Sequence, residues 1–523
     1  MPARNVILAL VVILGGSALV AGVVHLVRGE DAIDTELTVL SSEPDVLPGE
    51  TPEAASERHA REHAEMLDRD WPRHGHVTRT QLTVRMEPSP DAVVMGWLRI
   101  GAHIRTRGAP TPGPECSSGW VEIHPRGYVC TGAGLEVSDT PPAPPVAVVD
   151  QDAEEGDVPV PVTDMAPDLS SAMPYHYYFV KEPQVPEYYQ LPSREDQRNA
   201  AAHAARYLAF LNAGDTRRAE RLRAGELPGE PASPREVARF LDHGFFVASN
   251  GIEVRSRRRF VRTVRGMYIK ESQLEERTGH SFAGVALGMQ PDGTELHLPI
   301  AYAIRAARPM ISETRADGTL RVIDDPSHEA IERLSRVTWL RRERVGDQSY
   351  HVIALPTGEE RYLREWFLAL AELHDTPTGI EPNEPWVHVD LSSQTLVLYR
   401  GEVPVYATLV SSGVEGHETA AGEFTIRRKF VSDTMADPGS DLGNDRYRIE
   451  DVPWTQYFDG SIALHAAFWH AQYGIVHSHG CINLSPNDAR YVYGHTWPEI
   501  PEGWHGVSTE GTGFRGSRVI VTQ

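Results

Sequence analysis

Short runs in which apolar and polar residues alternate recur in two stretches of this chain. From Val77 to about Val137 they read "LTVRMEPSPDAVVMGWLRIGAHIRTRG" and "GWVEIHPRGYVCTGAGLEV". Pro and Gly turns break them, the pattern of a small β-barrel. The second stretch starts at Glu384, where "PWVHVDLSSQTLVLYRGEVPVYATLVSSG" predicts two strands around Arg400-Gly401. Val387, Val389 and Leu391 alternate in the first strand, and Leu396 and Leu398 in the second. "GEFTIRRKF", "IALHAAF", "GCINL" and "SRVIVTQ" predict further strands, and "PNDARYVYG" a short helix. A mostly β domain over residues 384–523 follows.

The middle region, residues 173–380, is mixed α+β and suggests no role. Ser193 can cap a helix with Glu195 and Asp196 in its first turn, and "AAAHAARYLAFLNAG" carries that helix to Gly214. "EVARFLDHG" predicts a second short helix. "FFVASNGIEVRSRRRFVRTVRGMYI" predicts a hairpin turning at Asn250-Gly251, and "SYHVIALPTGEERYL" another around Pro356–Gly358. "RGMYI" at 265–269 echoes "RGYV" at 126–129, so a second barrel like the first is an open reading. Residues 29–75 read as an acidic spacer with one helix, "PEAASERHAREHAEMLDRDW". Residues 138–172 read as a Pro- and acid-rich linker with an extended course.

Residues 1–28 differ from everything else. Val6 to Val24 is apolar without a charge, and Leu26 and Val27 extend it past His25. That length spans a bilayer as a helix. Arg4 precedes it and Glu30, Asp31, Asp34 and Glu36 follow, which exports the remainder. Two readings stay open: an anchor in the inner membrane over residues 6–27, or a cleaved signal segment with Ser17, Ala18, Ala21 and Gly22 near the cut. Both place the body of the protein outside the cytoplasm.

Length and charge narrow the classes. A chain of 523 residues needs several domains. A net charge of −23 excludes general nucleic-acid binding. The basic cluster Arg255, Arg257, Arg258, Arg259, Arg262, Arg265 and Lys270 is either a site for an anionic polymer or a solvated strand face that meets acidic groups.

Only three cysteines are present among 523 residues. In an oxidising compartment Cys116 and Cys130, close in one segment, are a disulfide candidate. That leaves Cys481, inside "HAAFWHAQYGIVHSHGCINL" (465–484). His477, His479 and Cys481, with His465 or His470, suggest a metal site, but one cysteine and irregular histidine spacing fit structural zinc poorly. The alternative is a nucleophile: a thiol activated by histidine, with Gly480 removing a side chain where a carbonyl must approach. Buried histidines and an inert thiol are the third reading.

Two resemblances extend these readings. Residues 76–137, through Leu82, Val84, Arg85, Gly96, Gly101, Gly119-Trp120 and Gly127-Tyr128-Val129, resemble a bacterial SH3-like domain, in which an exposed groove often binds wall peptides. His465 followed after twelve residues by Ser478-His479-Gly480-Cys481-Ile482-Asn483 resembles the active-site signature of the L,D-transpeptidases, or YkuD domains. "GHETAAGEFTIRRK", "NLSPNDARYVYGHTWPEIP" and "GSRVIVT" extend the resemblance over residues 384–523. Where that family has Thr-Pro before a glycine, this chain has Thr419-Ala420-Ala421-Gly422. The expected fold class is multidomain and mainly β: a C-terminal L,D-transpeptidase-like β-sandwich, an N-terminal SH3-like barrel and a mixed middle region.

The L,D-transpeptidase resemblance implies roles. Cys481 is the nucleophile and His465 the general base, oriented by the carbonyl of Ala466. His479 and Ser478 support the site, Gly480 with Cys481 lines the oxyanion pocket, and Asn483 fixes the loop. Trp454, Tyr457 and Trp469 are candidates for the substrate groove. The implied partners are peptidoglycan stem peptides, with no metal and no cofactor; the oligomeric state is left open. Two rivals remain, a hydrolase of the same fold and a non-catalytic wall-binding scaffold.

Overall fold

The computed structural model describes residues 51–141, 165–230, 233–436 and 448–523. The apolar run at 6–27 and most of the 138–172 linker lie outside the described residues. No helix among the described residues is long and apolar enough to cross a membrane. Residues up to Met66 form one unit and Leu67–Gln523 a second. The predicted spacer helix is α1 (Pro52–Asp70).

Three small barrels precede the C-terminal domain. The first contains β1 (Arg73–Val77), β2 (Leu82–Arg85), β3 (Val94–Leu98), β4 (His103–Gly113), β5 (Cys116–Ile123), β6 (Tyr128–Cys130) and β7 (Leu135–Ser138). Strand β1 pairs with β4 and β7, β2 with β3 and β6, and β5 with β4 and β6, all antiparallel. A 3-10 turn, Thr131–Ala133, precedes the last strand. Cys116 and Cys130 are disulfide-bonded.

The second barrel contains β8 (His176–Val180), β9 (Val185–Tyr188), β10 (Val237–Leu241), β11 (Phe246–Arg255), β12 (Arg258–Thr263), β13 (Tyr268–Lys270) and β14 (Leu274–Arg277). Its pairings repeat the first barrel's strand for strand. The difference is an insertion: α2 (Arg194–Asn212) and α3 (Thr216–Arg223) lie between β9 and β10, where the first barrel has a short turn. Ser193 caps α2 in a reciprocal box with Asp196, as the sequence predicts.

Between the second and third barrels run β15 (Val285–Ala286), β16 (Gly288–Met289) and β17 (Glu295–Leu296). The third barrel contains β18 (Ile300–Ala303), β19 (Met310–Thr314), β20 (Leu320–Asp324), β21 (Arg336–Val345), β22 (Gln348–Ala354), β23 (Glu360–Arg364) and β24 (Leu368–Ala371). The same six pairings hold it together. Each of the later barrels also has a 3-10 turn before its last strand. Residues 173–380 are therefore two further copies of the first barrel's topology, one of them expanded by two helices.

Two local expectations fail here. "EVARFLDHG" forms strand β10, because it adds to the free edge of β9 and the segment is too short to hold a helix by itself. Asn250-Gly251 is not the hairpin turn. The β11–β12 register shifts between Ser249 and Gly251, and Ser249 Oγ ties that bulge to the carbonyls of Gly251 and Arg262. The chain turns at Ser256-Arg257, both at positive φ. Three of the seven cations in the basic cluster meet carboxylates: Arg259 pairs with Glu271, Arg262 with Glu253, and Arg265 with Glu450.

The C-terminal domain contains β25 (Pro385–Asp390), β26 (Thr395–Arg400), β27 (Val403–Leu409), β28 (Gly422–Thr425), β29 (Arg428–Ala436), β30 (Arg448–Asp459), β31 (Ile462–Ala466), β32 (Ile482–Leu484), α4 (Pro486–His495), β33 (Gly506–Ser508) and β34 (Arg518–Thr522). One sheet runs β15-β27-β26-β25-β34-β28. In the other, β33 pairs with β29, β29 with β30, β30 with β31, and β31 runs parallel to β32. Val387, Val389, Leu396, Leu398, Phe458, Leu464, Ile482 and Val519 fill the space between the sheets. The alternation in the sequence had placed Val387, Val389, Leu396 and Leu398 on one face. Asp488 pins α4 inside: its buried carboxylate accepts from Tyr406, Thr408 and Ser485 hydroxyls and the Gly284 N–H.

All three barrels attach to this sandwich. Strand β3 adds to the edge of β33, pairing Gly96 with Val507 and Trp97 with Gly506. A Cβ on Gly96 would lie 2.3 Å from the Gly506 carbonyl, so only glycine admits this approach. Trp504 enters the first barrel's core and its indole donates to the His124 carbonyl at 3.1 Å. Arg99 of the first barrel forms a buried ion pair with Asp451 on β30; Ser432 lies 3.2 Å and His505 3.3 Å from the same guanidinium nitrogen. The Tyr177 hydroxyl, from the second barrel, donates to the Asp451 carbonyl at 2.7 Å. The third barrel packs on the outer face of the other sheet, with Tyr302 donating to the Ala407 carbonyl at 2.8 Å.

Burial opposes charge on Asp451, yet the Arg99 guanidinium holds its carboxyl down to about 2. Because the folded value lies below the unfolded one, this pair's contribution is full above the ordinary Asp range and is lost as pH falls towards about 2. Asp451→Asn should destabilise the protein by roughly 3–5 kcal/mol at neutral pH, read by urea denaturation, because it strands a buried guanidinium. The deficit relative to wild type should shrink as the pH is lowered towards 3.

Candidate active site

Cys481 lies at the start of β32, half-buried, and is the free cysteine among the described residues. The parallel register pairs Leu464 with Ile482 and His465 with Asn483. Extended by one residue, it sets Cys481 opposite Ala463, whose backbone N–H points at the sulfur. Side chains two apart on a strand share a face, so His465 lies on the side of β31 that faces the thiol. The sulfur packs among Phe430, Tyr457 and Ala463. Its closest polar contact is the Ser461 carbonyl at 3.9 Å.

His465 is 2% exposed. Its Nδ1 lies 3.2 Å from the Ala466 carbonyl, which acts as acceptor and so places the proton on Nδ1. Nε2 is left as a base. The ring stacks on Trp469 at 5.7 Å. Burial pushes the imidazole down to about 4, against the opposing pull of the Ala466 carbonyl. Burial pushes the Cys481 thiol up to about 11, with the Ala463 N–H working the other way. Each group is therefore neutral at pH 7, the thiol protonated and the imidazole uncharged.

The turn before Cys481 is closely held. Gly480 has φ +112, and a Cβ there would meet Ile462 Cδ1 at 2.7 Å. Its N–H donates to Ser478 Oγ at 3.1 Å, and that hydroxyl donates to the Cys481 carbonyl at 2.5 Å. The Gly480 N–H is thus engaged inside the turn. Thr419, from the segment that departs from the Thr-Pro pattern, donates to the Gly480 carbonyl at 2.8 Å and accepts from Gly413 N–H at 3.0 Å.

The histidines separate by environment. His479 is exposed and packs against His417 at 4.7 Å. His477 is exposed and meets His470 edge-on at 4.4 Å. His470, which the sequence offers only as a possible metal ligand, has its Nε2 2.8 Å from the Asn483 side-chain amide. Gln472 N–H donates to His470 Nδ1, so Nε2 carries the proton and Asn483 presents its oxygen there. Asn483 is fixed further by backbone bonds to Ser411. No group of three metal-ligating side chains converges among the described residues.

The groove candidates divide. Trp454 is 2% exposed; it packs on Tyr493, and its indole donates to the Ala172 carbonyl. It belongs to the sandwich core. Tyr457 lies beside the sulfur and donates to Asp433 at 2.8 Å. Trp469 supports His465 and is itself backed by Phe246 of the second barrel at 6.3 Å. Arg333 of the third barrel donates to the carbonyls of Ala471 and Tyr473, both at 2.6 Å, in the loop between the base and the thiol.

Residues 384–521 match the YkuD family, the L,D-transpeptidase catalytic domain. The C-terminal domain is thus a YkuD-type catalytic domain, a family of acyltransferases. Among solved structures, an Enterococcus faecium L,D-transpeptidase mutant is 21% identical over 27% of this chain and 50% of its own, with a TM-score of 0.21. The chain thus spans half the length of that relative. An L,D-transpeptidase from Mycobacterium smegmatis is 18% identical over 36% of this chain and all of its own, at 0.23. L,D-transpeptidase 3 from Mycobacterium tuberculosis is 17% identical over 36% and 79%, at 0.22. No curated protein matches the chain.

The neutral resting pair makes a direct prediction. Alkylation of Cys481 by iodoacetamide should be slow at pH 7 and rise about tenfold per pH unit up to about 11, followed by intact mass. A plateau near pH 7 would instead reveal a preformed thiolate.

Proposed function

We propose that the C-terminal domain is an L,D-transpeptidase acting on peptidoglycan stem peptides through a thioester on Cys481. The observation that carries this is the β31–β32 register, which sets a neutral base with a free Nε2 on the face of the thiol. Sγ attacks the carbonyl that joins the third stem residue to a terminal D-amino acid, and His465 Nε2 takes the thiol proton. The C–N bond breaks, that proton leaves with the departing amine, and the D-amino acid is released. An amine of a second stem then attacks the thioester, returns the thiolate, and passes its proton back through His465. The Cys481 N–H is the candidate oxyanion donor, since that of Gly480 is engaged. Substrate entry excludes water and brings a carbonyl to the sulfur, so proton transfer and attack are coupled.

The first barrel is read as an SH3-like module that holds wall peptide, and the apolar segment 6–27 as the reason the enzyme works on the periplasmic side of the inner membrane. A same-fold hydrolase differs only in using water for the second step.

Incubation with a stem tetrapeptide should give an intact-mass adduct on Cys481 equal to the peptide less the released terminal amino acid. Cys481→Ala should give none, and His465→Ala should slow adduct formation by roughly 100-fold or more. A wild-type protein that forms no adduct overturns the reading. A dimeric crosslinked product favours the transpeptidase, and a trimmed tripeptide alone favours the hydrolase.

A further inference from the structure

Arg427, Arg428 and Lys429 bring three cations to the start of β29 in a strongly acidic chain. Lys429 is accounted for by the interior: its buried ammonium donates to the carbonyls of Thr496 at 2.7 Å and Pro498 at 2.9 Å. The other two line a cavity of about 90 Å³ with Tyr457, Phe458, Gly460 and Glu510. Arg428 is held in place there. Its guanidinium lies 4.9 Å from the Tyr457 ring centre, and one nitrogen donates to the Gly460 carbonyl at 3.4 Å. Elsewhere in the molecule arginines such as Arg239, Arg341, Arg361 and Arg515 are matched to carboxylates. No carboxylate among the described residues pairs directly with Arg427 or Arg428; Arg428 feels the charge of Asp433, which is itself held by the Tyr457 hydroxyl, and Glu510 stands in the cavity wall.

The cavity adjoins the nucleophile through two of its walls. Gly460 precedes Ser461, whose carbonyl is the sulfur's polar contact. Tyr457 packs in the same cluster as Cys481. In the acyl donor of the proposed reaction, the terminal D-amino acid ends in a carboxylate one residue, about 4 Å, beyond the carbonyl under attack. A guanidinium matches a carboxylate with two parallel hydrogen bonds, and desolvation beside an aromatic ring strengthens them.

We propose that Arg427 and Arg428 form a carboxylate subsite that binds the C-terminal carboxylate of the acyl-donor peptide, and so selects a free D-amino-acid terminus for release. The subsite rests on the transpeptidase reading. Arg428 supplies the fixed fork against Tyr457, and the exposed Arg427 closes on the bound anion. Selectivity is then set before the thioester forms, and the amine that resolves the thioester needs neither arginine.

The test uses the full chain and matched stem tetrapeptides with a free or an amidated C-terminus, reading adduct formation on Cys481 and release of the terminal residue. Amidation should lower kcat/KM of the wild type by roughly 10- to 100-fold, the range expected for hydrogen bonds to a charged group. In Arg428→Ala the free acid should fall to the level of the amide, so that amidation no longer matters. Arg428→Lys should retain part of the preference. Iodoacetamide labelling of Cys481 in each variant reports whether the thiol environment is intact. Equal losses on both peptides in Arg428→Ala, or a wild type indifferent to amidation, overturn the subsite and leave the transpeptidase standing. A preference that follows amidation of a side-chain carboxylate in place of the terminal one also overturns it. A wild type that forms an adduct with neither peptide overturns both.

Discussion

The buried Arg99–Asp451 pair is the contact on which the rest of the arrangement depends. The guanidinium comes from the first barrel, the carboxylate from β30, and the second barrel meets the same point through Tyr177 on the Asp451 carbonyl and Tyr175 under the Arg99 guanidinium. Neither charge is stable in this interior alone, because desolvation costs each several kcal/mol. Their pairing therefore requires the first barrel and the sandwich to be docked. Strand β30 then runs on to Tyr457, which packs against the Cys481 thiol. A second buried group works alike: Arg239 of the second barrel pairs with Glu187 of its own barrel and Glu450 of β30.

One barrel topology is used three times, and each copy is bound to the catalytic sandwich by different physics. The first adds a strand to an open sheet edge, which covers backbone groups that would otherwise template aggregation. The second presents aromatic rings, with Phe246 backing the Trp469 that stacks on His465. The third covers an apolar sheet face and clasps the 471–473 loop with one guanidinium. The site's base and its intervening loop are thus held by segments more than a hundred residues away in sequence. A two-helix insertion in one hairpin of the second copy leaves its pairing unchanged, because it enters at a turn on the barrel surface.

Burial sets the chemistry of the pair. The same exclusion of water lifts the thiol and lowers the imidazole, so both rest neutral. Such a pair does not hold charge against a low-dielectric wall while idle. In the proposed reaction a substrate carbonyl is what makes proton transfer from the thiol worthwhile. The turn that presents the sulfur is fixed by a relay from Gly480 to Ser478 to the Cys481 carbonyl. Thr419 anchors it from a neighbouring loop, so the missing Thr-Pro leaves the turn supported.

The sequence by itself determined what local chemistry dictates. Alternation placed Val387, Val389, Leu396 and Leu398 in a core, Ser193 capped its helix, and cysteine counting paired Cys116 with Cys130 and isolated Cys481. The spacing of His465 from Ser478-His479-Gly480-Cys481 marked the candidate site. Tertiary structure decided everything that depends on who stands opposite. Val237–Leu241 became a strand because β9 needed an edge partner, and Asn250-Gly251 became a bulge because β11 continued past it. Trp454 went to the core, His470 acquired Asn483, and Arg427 and Arg428 came to share a cavity with Tyr457, which packs against Cys481. Those outcomes rest on pairing and burial between distant segments, whose energies no local window contains.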